Sequence, residues 1–172
     1  MEQPDRDIAA DVLAGDQAVF RVIVERYQDR LFDLALRMTR SRQDAEDLVQ
    51  TAFIRMFAKL KSYDRRYAFS TWAYTITLNL VRNHQRRKRL IRFLSLEAAP
   101  EPRAEDAPAP RLERAIAELP ETLREAFVLH YIHEEPVRAV AEMLGVSENA
   151  AKLRLLRARG ALRERIQGDL NG

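Results

Sequence analysis

In the stretch FSTWAYTITLNLVRNHQRRKR, Trp72, Asn79, Asn83 and Arg86 fall at offsets of 0, 7, 11 and 14, within one narrow stripe of a helix. Tyr74, Leu78 and Val81 occupy its other side. Asparagine presents a donor and an acceptor together, and arginine adds a fork of donors, so such a stripe suits both base edges and phosphates. A second cationic group lies in PVRAVAEMLGVSENAAKLRLLRARGALRER. There Ala151, Leu155, Ala158 and Leu162 form a buried stripe at helical spacing. Asn149, Leu153, Leu156, Arg157 and Gly160 project opposite, flanked by Lys152, Arg154 and Arg159, where long cationic side chains straddle a groove and reach phosphates. Leu153 and Leu156 suit contacts with thymine methyls, a partner protein or part of the core.

One other cluster has the residue types for chemistry. His130 and His133, three apart and followed by Glu134 and Glu135, can chelate, which makes a metal-dependent enzyme a rival reading. HxxHEE is not the HExxH order of a zinc protease, however, and no carboxylate pair has a pocket legible around it. With 0 cysteines, thiolate metal sites, disulfides and cysteine nucleophiles are excluded. No catalytic residue, metal or cofactor is expected.

The elements that position these residues read as an all-α chain in two helical modules. Residues 172 in number, 47% of them apolar and 32% charged, suit one mid-sized domain or two small ones. EAAPEPRAEDAPAP carries Pro100, Pro102, Pro108 and Pro110 without apolar periodicity, and marks residues 94–110 as a linker between modules 1–93 and 111–172. Asp16 is the expected N-cap of a helix carrying Phe20, Ile23, Tyr27, Leu31, Leu34 and Met38. Ser41 is expected to cap the next, with Ala45, Val49, Ala52, Phe53, Met56 and Leu60 on one face. A third should start near Ser70 and run into the basic block. In the second module, helices are expected over Leu112–Leu119, again after Pro120 through Leu123, Phe127 and Tyr131, and from Pro136 in the first turn of the next. Gly145 then supplies a left-handed turn, Val146 a core plug, Ser147 a cap and Ala141 a small crossing residue, the chemistry of a helix-turn-helix.

Charge follows the same division. The net charge is +3, yet Arg82, Arg86, Arg87, Lys88, Arg89 and Arg92 make an acid-free block, and 147–165 carries six cations against Glu148 and Glu164. Between them, residues 111–146 hold seven acids against four bases. Two basic patches on separate modules imply two contacts with a polyanion. No run of 18 apolar residues occurs, and MEQPDRDIAADVLAG has acids where a signal peptide has bases, so a cytoplasmic protein without direct membrane insertion is expected.

Three motifs in order, DAEDLVQTAFIRMFAKL, FSTWAYTITLNLVRNHQRR and ELPETLREAFVLHYIHEEPVRAVAEMLGVSENAAKLRLLRARGAL, give the chain a resemblance to the extracytoplasmic-function (ECF) group of bacterial RNA polymerase sigma factors over nearly its whole length. The resemblance implies a non-enzymatic factor that gives core RNA polymerase its promoter DNA specificity, with the first module binding polymerase and melting the −10 element and the second reading the −35 element. It also implies an anti-sigma factor that holds the chain inactive. The polymerase-binding segment would carry Asp44, Asp47, Gln50, Thr51, Ile54 and Phe57, and here Ile54 projects away from the apolar stripe among polar neighbours. Asn79, Asn83, Arg86 and Arg87 fall where the family reads −10. The loop YDRRYAF falls where it captures a flipped base: Tyr63, Tyr67 and Phe69, beside Trp72, offer aromatic surfaces, and Arg65 and Arg66 offer charge. Ser147, Asn149, Lys152, Leu153, Arg154, Leu156, Arg157 and Arg159 would face −35. Where many relatives have Thr-Val-Lys-Ser-Arg, this chain has Ala150-Ala151-Lys152-Leu153-Arg154 and so lacks two hydroxyls. A helix-turn-helix regulator acting without polymerase accounts for 145–165 but not for the aromatic loop or Ile54.

Overall fold

The computed structural model describes residues 3–95 and 111–168, and its described residues are helical with no strand. Helix α1 spans Asp5–Ala14, α2 Phe20–Thr39, α3 Arg42–Ala58 and α4 Phe69–Ser95. In the second module α5 spans Arg111–Ala117, α6 Glu121–Phe127, α7 Val137–Leu144 and α8 Glu148–Gly168.

Local chemistry sets most boundaries. The Ser41 hydroxyl accepts from the Asp44 N–H at 3.3 Å, the expected cap of α3. Gly145 ends α7 at φ 67°, and Ser147 accepts from the Ala150 N–H at 3.2 Å, so the turn into α8 is closed as its sequence requires. Asp16 does not act as a cap. It precedes a 3-10 turn over Gln17–Val19 and its side chain bonds no backbone N–H, because α1 already occupies the preceding residues and ends on Gly15 at φ 119°. Pro136 stands one residue outside α7 with ψ 149°, extended, as its ring and missing N–H allow. Past Phe127 the helix widens into a π-turn over Val128–Ile132, where the His133 N–H reaches back to the Val128 carbonyl at 3.0 Å, so Tyr131 does not continue a regular α6. Leu94 and Ser95, expected in the linker, continue α4, and the rest of the linker lies outside the described residues.

The apolar stripes meet as read. Leu31, Leu34 and Met38 of α2, Ala45, Val49, Ala52 and Met56 of α3, and Ala73, Tyr74, Leu78 and Val81 of α4 are all buried. α1 adds Ile8, Ala9 and Val12, and is held down by the Tyr27 hydroxyl donating to Asp5 at 2.5 Å. In the second module Ala151, Leu155, Ala158 and Leu162 are buried against Val140, Met143 and Leu144. These are not two separate cores: the buried side chains of both modules form one cluster, and α7 packs on α4. Truncating a side chain such as Leu78 at the centre of this cluster would cost about 2–5 kcal/mol.

Candidate nucleic-acid and polymerase interface

On α4, Asn79 and Asn83 are exposed while Tyr74, Leu78 and Val81 are buried, so the helix presents the stripe its spacing requires. The Arg86 guanidinium donates to Asn83 Oδ1 at 2.9 Å, which leaves the Asn83 amide NH2 to donate elsewhere. The basic block is less available than its composition suggests. Arg82 is turned toward the second module, Lys88 is bonded to Asp44, and Arg89 lies 3.4 Å from Glu121.

Beside this stripe the loop after α3 folds over the start of α4. Phe69 is buried, not offered to a base. Its ring supports Tyr63 at 5.1 Å and Trp72 at 5.4 Å, and the Tyr63 hydroxyl donates to the Tyr67 carbonyl at 2.9 Å. Trp72 is half-buried in this cluster, at once an anchor and a wall. Tyr67 stays 46% exposed. Arg65 is exposed, whereas Arg66 is forked onto Asp64, whose carboxyl is held below its ordinary value by that hydrogen bond. Tyr63, Tyr67, Trp72, Asp64, Thr71 and Thr75 line a cavity of about 310 Å³, and Glu142 of α7 reaches it from the second module.

On α3, Asp47, Gln50, Ile54 and Phe57 are exposed, with Ile54 64% accessible. Phe57 also rests edge-on against Phe20 at 5.2 Å. Two residues of this segment are less free than expected. Asp44 is tied to Ser41, Lys88 and His84, and although burial opposes its charge, those partners hold its carboxyl below the ordinary value. Thr51 donates its hydroxyl to the Asp47 carbonyl at 2.8 Å.

On α8, Asn149, Lys152, Leu153, Leu156, Arg157 and Arg159 are exposed on one side with Ser147 at the helix start, and Arg154 is half-buried. His130 and His133 do not converge: the His130 ring faces the Glu135 carbonyl at 2.8 Å, while His133 is buried against Tyr74 with Nε2 3.2 Å from Asp33. Among the described residues no three His, Cys, Asp or Glu side chains gather to hold a metal.

The family pattern for Sigma-70 region 2 matches residues 23–91, and that for Sigma-70 region 4 matches residues 110–162. The ECF RNA polymerase sigma factor SigW of Bacillus subtilis is 31% identical, over 97% of this chain and 99% of its own. The chain belongs to the ECF sigma factors. It is therefore a non-enzymatic transcription initiation factor. SigM of Mycobacterium tuberculosis is similar at 30% identity over 99% of this sigma factor and 88% of its own length. Among solved structures, CnrH in complex with the cytosolic domain of CnrY is similar at 27% identity, with a TM-score of 0.77 over 96% of this chain and 98% of that one. RpoE of Bartonella quintana, solved with the anti-sigma factor NepR, shares the fold at 22% identity and a TM-score of 0.73, over 86% of this chain and 96% of that one.

What the sequence reading of this sigma factor missed is the seam between its modules. Arg82 grips Glu125 through both carboxylate oxygens at 2.7 and 2.8 Å, Arg30 donates to Glu135 and to the His133 carbonyl at 3.0 Å each, and Arg37 bridges Asp33 and Glu113. Hydrogen bonding to Glu125 pushes the Arg82 guanidinium up from its ordinary value. Burial opposes the charge of Asp33, but hydrogen bonds from His133 and Arg37 outweigh it and hold the carboxyl below its ordinary value. Burial pushes Glu135 up, against the pull of Arg30. A signal was present: Arg30 and Arg37 share a stripe of α2, Arg82 and Arg89 a stripe of α4, and Glu121 and Glu125 a stripe of α6.

Proposed function

We propose that this sigma factor joins core RNA polymerase in the cytoplasm and divides promoter reading between its modules, the first taking the −10 element as separated strands and the second taking −35 as duplex. One observation carries this division. The exposed Asn79 and Asn83 stripe of the first module lies beside an aromatic cavity sized for a base, whose rings are that module's and which Glu142 of the second module also lines, and a cation-edged helix, α8, stands on the second module. A flipped base stacking on an aromatic ring contributes about 1–3 kcal/mol, comparable to the cost of unstacking one step, so a site that accepts only a flipped base favours melted DNA without ATP. Tyr67, Tyr63 and Trp72 supply that surface, with Arg65 for the adjoining phosphate. In −35, Asn149, Lys152, Arg157 and Arg159 meet the groove, and Leu153 and Leu156 suit thymine methyls.

Asp47, Gln50, Ile54 and Phe57 of α3 are the surface offered to polymerase. No helix of the described residues is long and apolar enough to cross a membrane, in keeping with that location. An anti-sigma protein is the expected inhibitor, supported by the likeness to CnrH bound to the cytosolic domain of CnrY.

Run-off transcription with purified core polymerase on a promoter library tests the reading. Selective initiation from a subset of templates is expected. Equally specific promoter binding by the chain without polymerase would favour a self-sufficient helix-turn-helix regulator instead.

A further inference from the structure

α1 carries none of the residues assigned to polymerase or to promoter, yet its first turn is joined to the aromatic cavity by a chain of side-chain contacts. Asp5 opens the helix. One of its carboxylate oxygens accepts from the Tyr27 hydroxyl at 2.5 Å, and the other accepts from the Arg26 guanidinium. Arg26 also donates to the Gln3 carbonyl at 3.2 Å, so α2 grips the start of α1 at two points. Tyr27 is 4% exposed. Burial, with the Asp5 carboxylate beside it, pushes its hydroxyl up from the ordinary value, so it remains a donor at neutral pH. The Tyr27 ring lies 5.6 Å from that of the buried Phe69, and Phe69 in turn stands 5.1 Å from Tyr63 and 5.4 Å from Trp72. Tyr63 and Trp72 are 5.4 Å apart, and the Tyr63 hydroxyl donates to the Tyr67 carbonyl. The rings that wall the cavity therefore rest, through Phe69, on a ring held by one hydrogen bond to α1. A second route runs beside it: α1 packs on the 3-10 turn Leu60–Ser62, from which the chain passes directly into Tyr63.

We infer that Asp5 and Tyr27 are positioning residues for base capture: the hydrogen bond between them fixes the Tyr27 ring, which props Phe69, and Phe69 holds Tyr63 and Trp72 in the arrangement that receives a base. This rests on the assignment of that cavity to the −10 strand. Neither residue touches DNA. Their effect is preorganisation, because rings that are already fixed lose little freedom when a base stacks on them, whereas loose rings would have to be ordered at the expense of that stacking. Ring-to-ring contacts alone tolerate a range of tilts and offsets. A hydrogen bond is directional, so the Tyr27 hydroxyl sets the ring's position where packing leaves it loose. Phenylalanine at 27 fills the same space without a donor, and Phe69 and its two neighbours lose their fixed support.

Trp72 is the only tryptophan of the chain, so its fluorescence reports the cavity without a label. In the full chain without DNA, Tyr27→Phe should move Trp72 emission to longer wavelength and raise its quenching by acrylamide, with helical circular dichroism unchanged at the same temperature. In holoenzyme assembled with core polymerase, on a promoter recovered from the run-off library, the maximal rate of open-complex formation should fall about three- to fivefold, one hydrogen bond setting a ceiling of about tenfold. The promoter concentration that gives half the maximal rate should hold, since closed-duplex contacts are untouched. Asp5→Ala should match Tyr27→Phe, and takes its place should Tyr27→Phe lose helical content. Asp5→Asn keeps an oxygen for the Tyr27 hydroxyl and should recover most of the wild-type rate. Wild-type Trp72 emission and wild-type opening in both Tyr27→Phe and Asp5→Ala overturn the inference, as does a loss confined to promoter affinity. Tyr67→Ala, which removes an exposed ring of the wall, separates the two claims. Slow opening by Tyr67→Ala beside normal opening by Tyr27→Phe overturns the positioning role, whereas normal opening by Tyr67→Ala itself faults the assignment of the cavity to −10.

Discussion

Under the proposed division of promoter reading, Asn83 is the residue on which −10 reading turns most directly. Its amide oxygen already accepts from Arg86, while its NH2 keeps two donors for an acceptor on a base edge. Loss of one such contact costs about 1–3 kcal/mol, so Asn83→Ala should lower run-off transcription by about tenfold or more. Affinity for core polymerase should hold, since the exposed side chains of α3 lie elsewhere; its loss would mean that the face of α4 is misassigned. Asp33 carries a different prediction, because its neighbours Arg37 and His133 keep its carboxyl below the ordinary value while Glu113 shares Arg37. A depressed carboxyl stabilises the fold above its unfolded pKa, and that contribution is lost as the pH falls through the folded value, below about 4. Asp33→Asn should therefore be less stable than the wild type at pH 7 and close much of the gap at pH 3, as melting temperatures at the two pH values will report. An equal difference at both would show that Asp33 contributes no charge-dependent stability.

At the scale of elements, the turn between α7 and α8 and the middle of α8 call for opposite treatment of glycine. Gly145 lies at φ 67°, and a Cβ built on it meets nothing within 4 Å, so alanine there would suffer backbone strain without a clash, about 1–2 kcal/mol. Gly160 lies inside α8 with equally open space around it, and alanine there should stabilise the helix by about 0.5–1 kcal/mol. Urea midpoints of the two single variants should move in opposite directions, and a shared direction would contradict the turn geometry. This turn was legible in the sequence because glycine, serine cap and apolar stripe each specify a neighbour in the chain. α1 was not: Ile8, Ala9 and Val12 make too short a stripe, and its anchor, Asp5 to Tyr27, joins residues that periodicity does not relate. The buried place of Phe69 escaped for a similar reason, since an aromatic residue in a loop reads equally as platform or prop until Tyr63 and Trp72 are seen around it.

For the molecule as a whole, helical periodicity tells which face of an element is buried but not against which partner, so the two modules and their order were readable while the seam that joins them was not. The proposed reading of −10 and −35 by separate modules sets a length that the segment between them must reach. With α4 reaching Ser95 and α5 beginning at Arg111, fifteen residues remain between the helices. Such a segment spans about 22 Å as a flexible coil and about 47 Å fully extended in the polyproline form that Pro100, Pro102, Pro108 and Pro110 favour. Elements more than one turn of DNA apart require about 35 Å. Deleting six residues, 103–108, leaves nine with a reach of about 28 Å, too short for simultaneous contact with both elements. The shortened chain should keep its affinity for core polymerase and lose most run-off transcription from a promoter that needs its −35 element. Undiminished initiation would mean that the modules do not grip the two elements at once, and that polymerase alone sets the spacing.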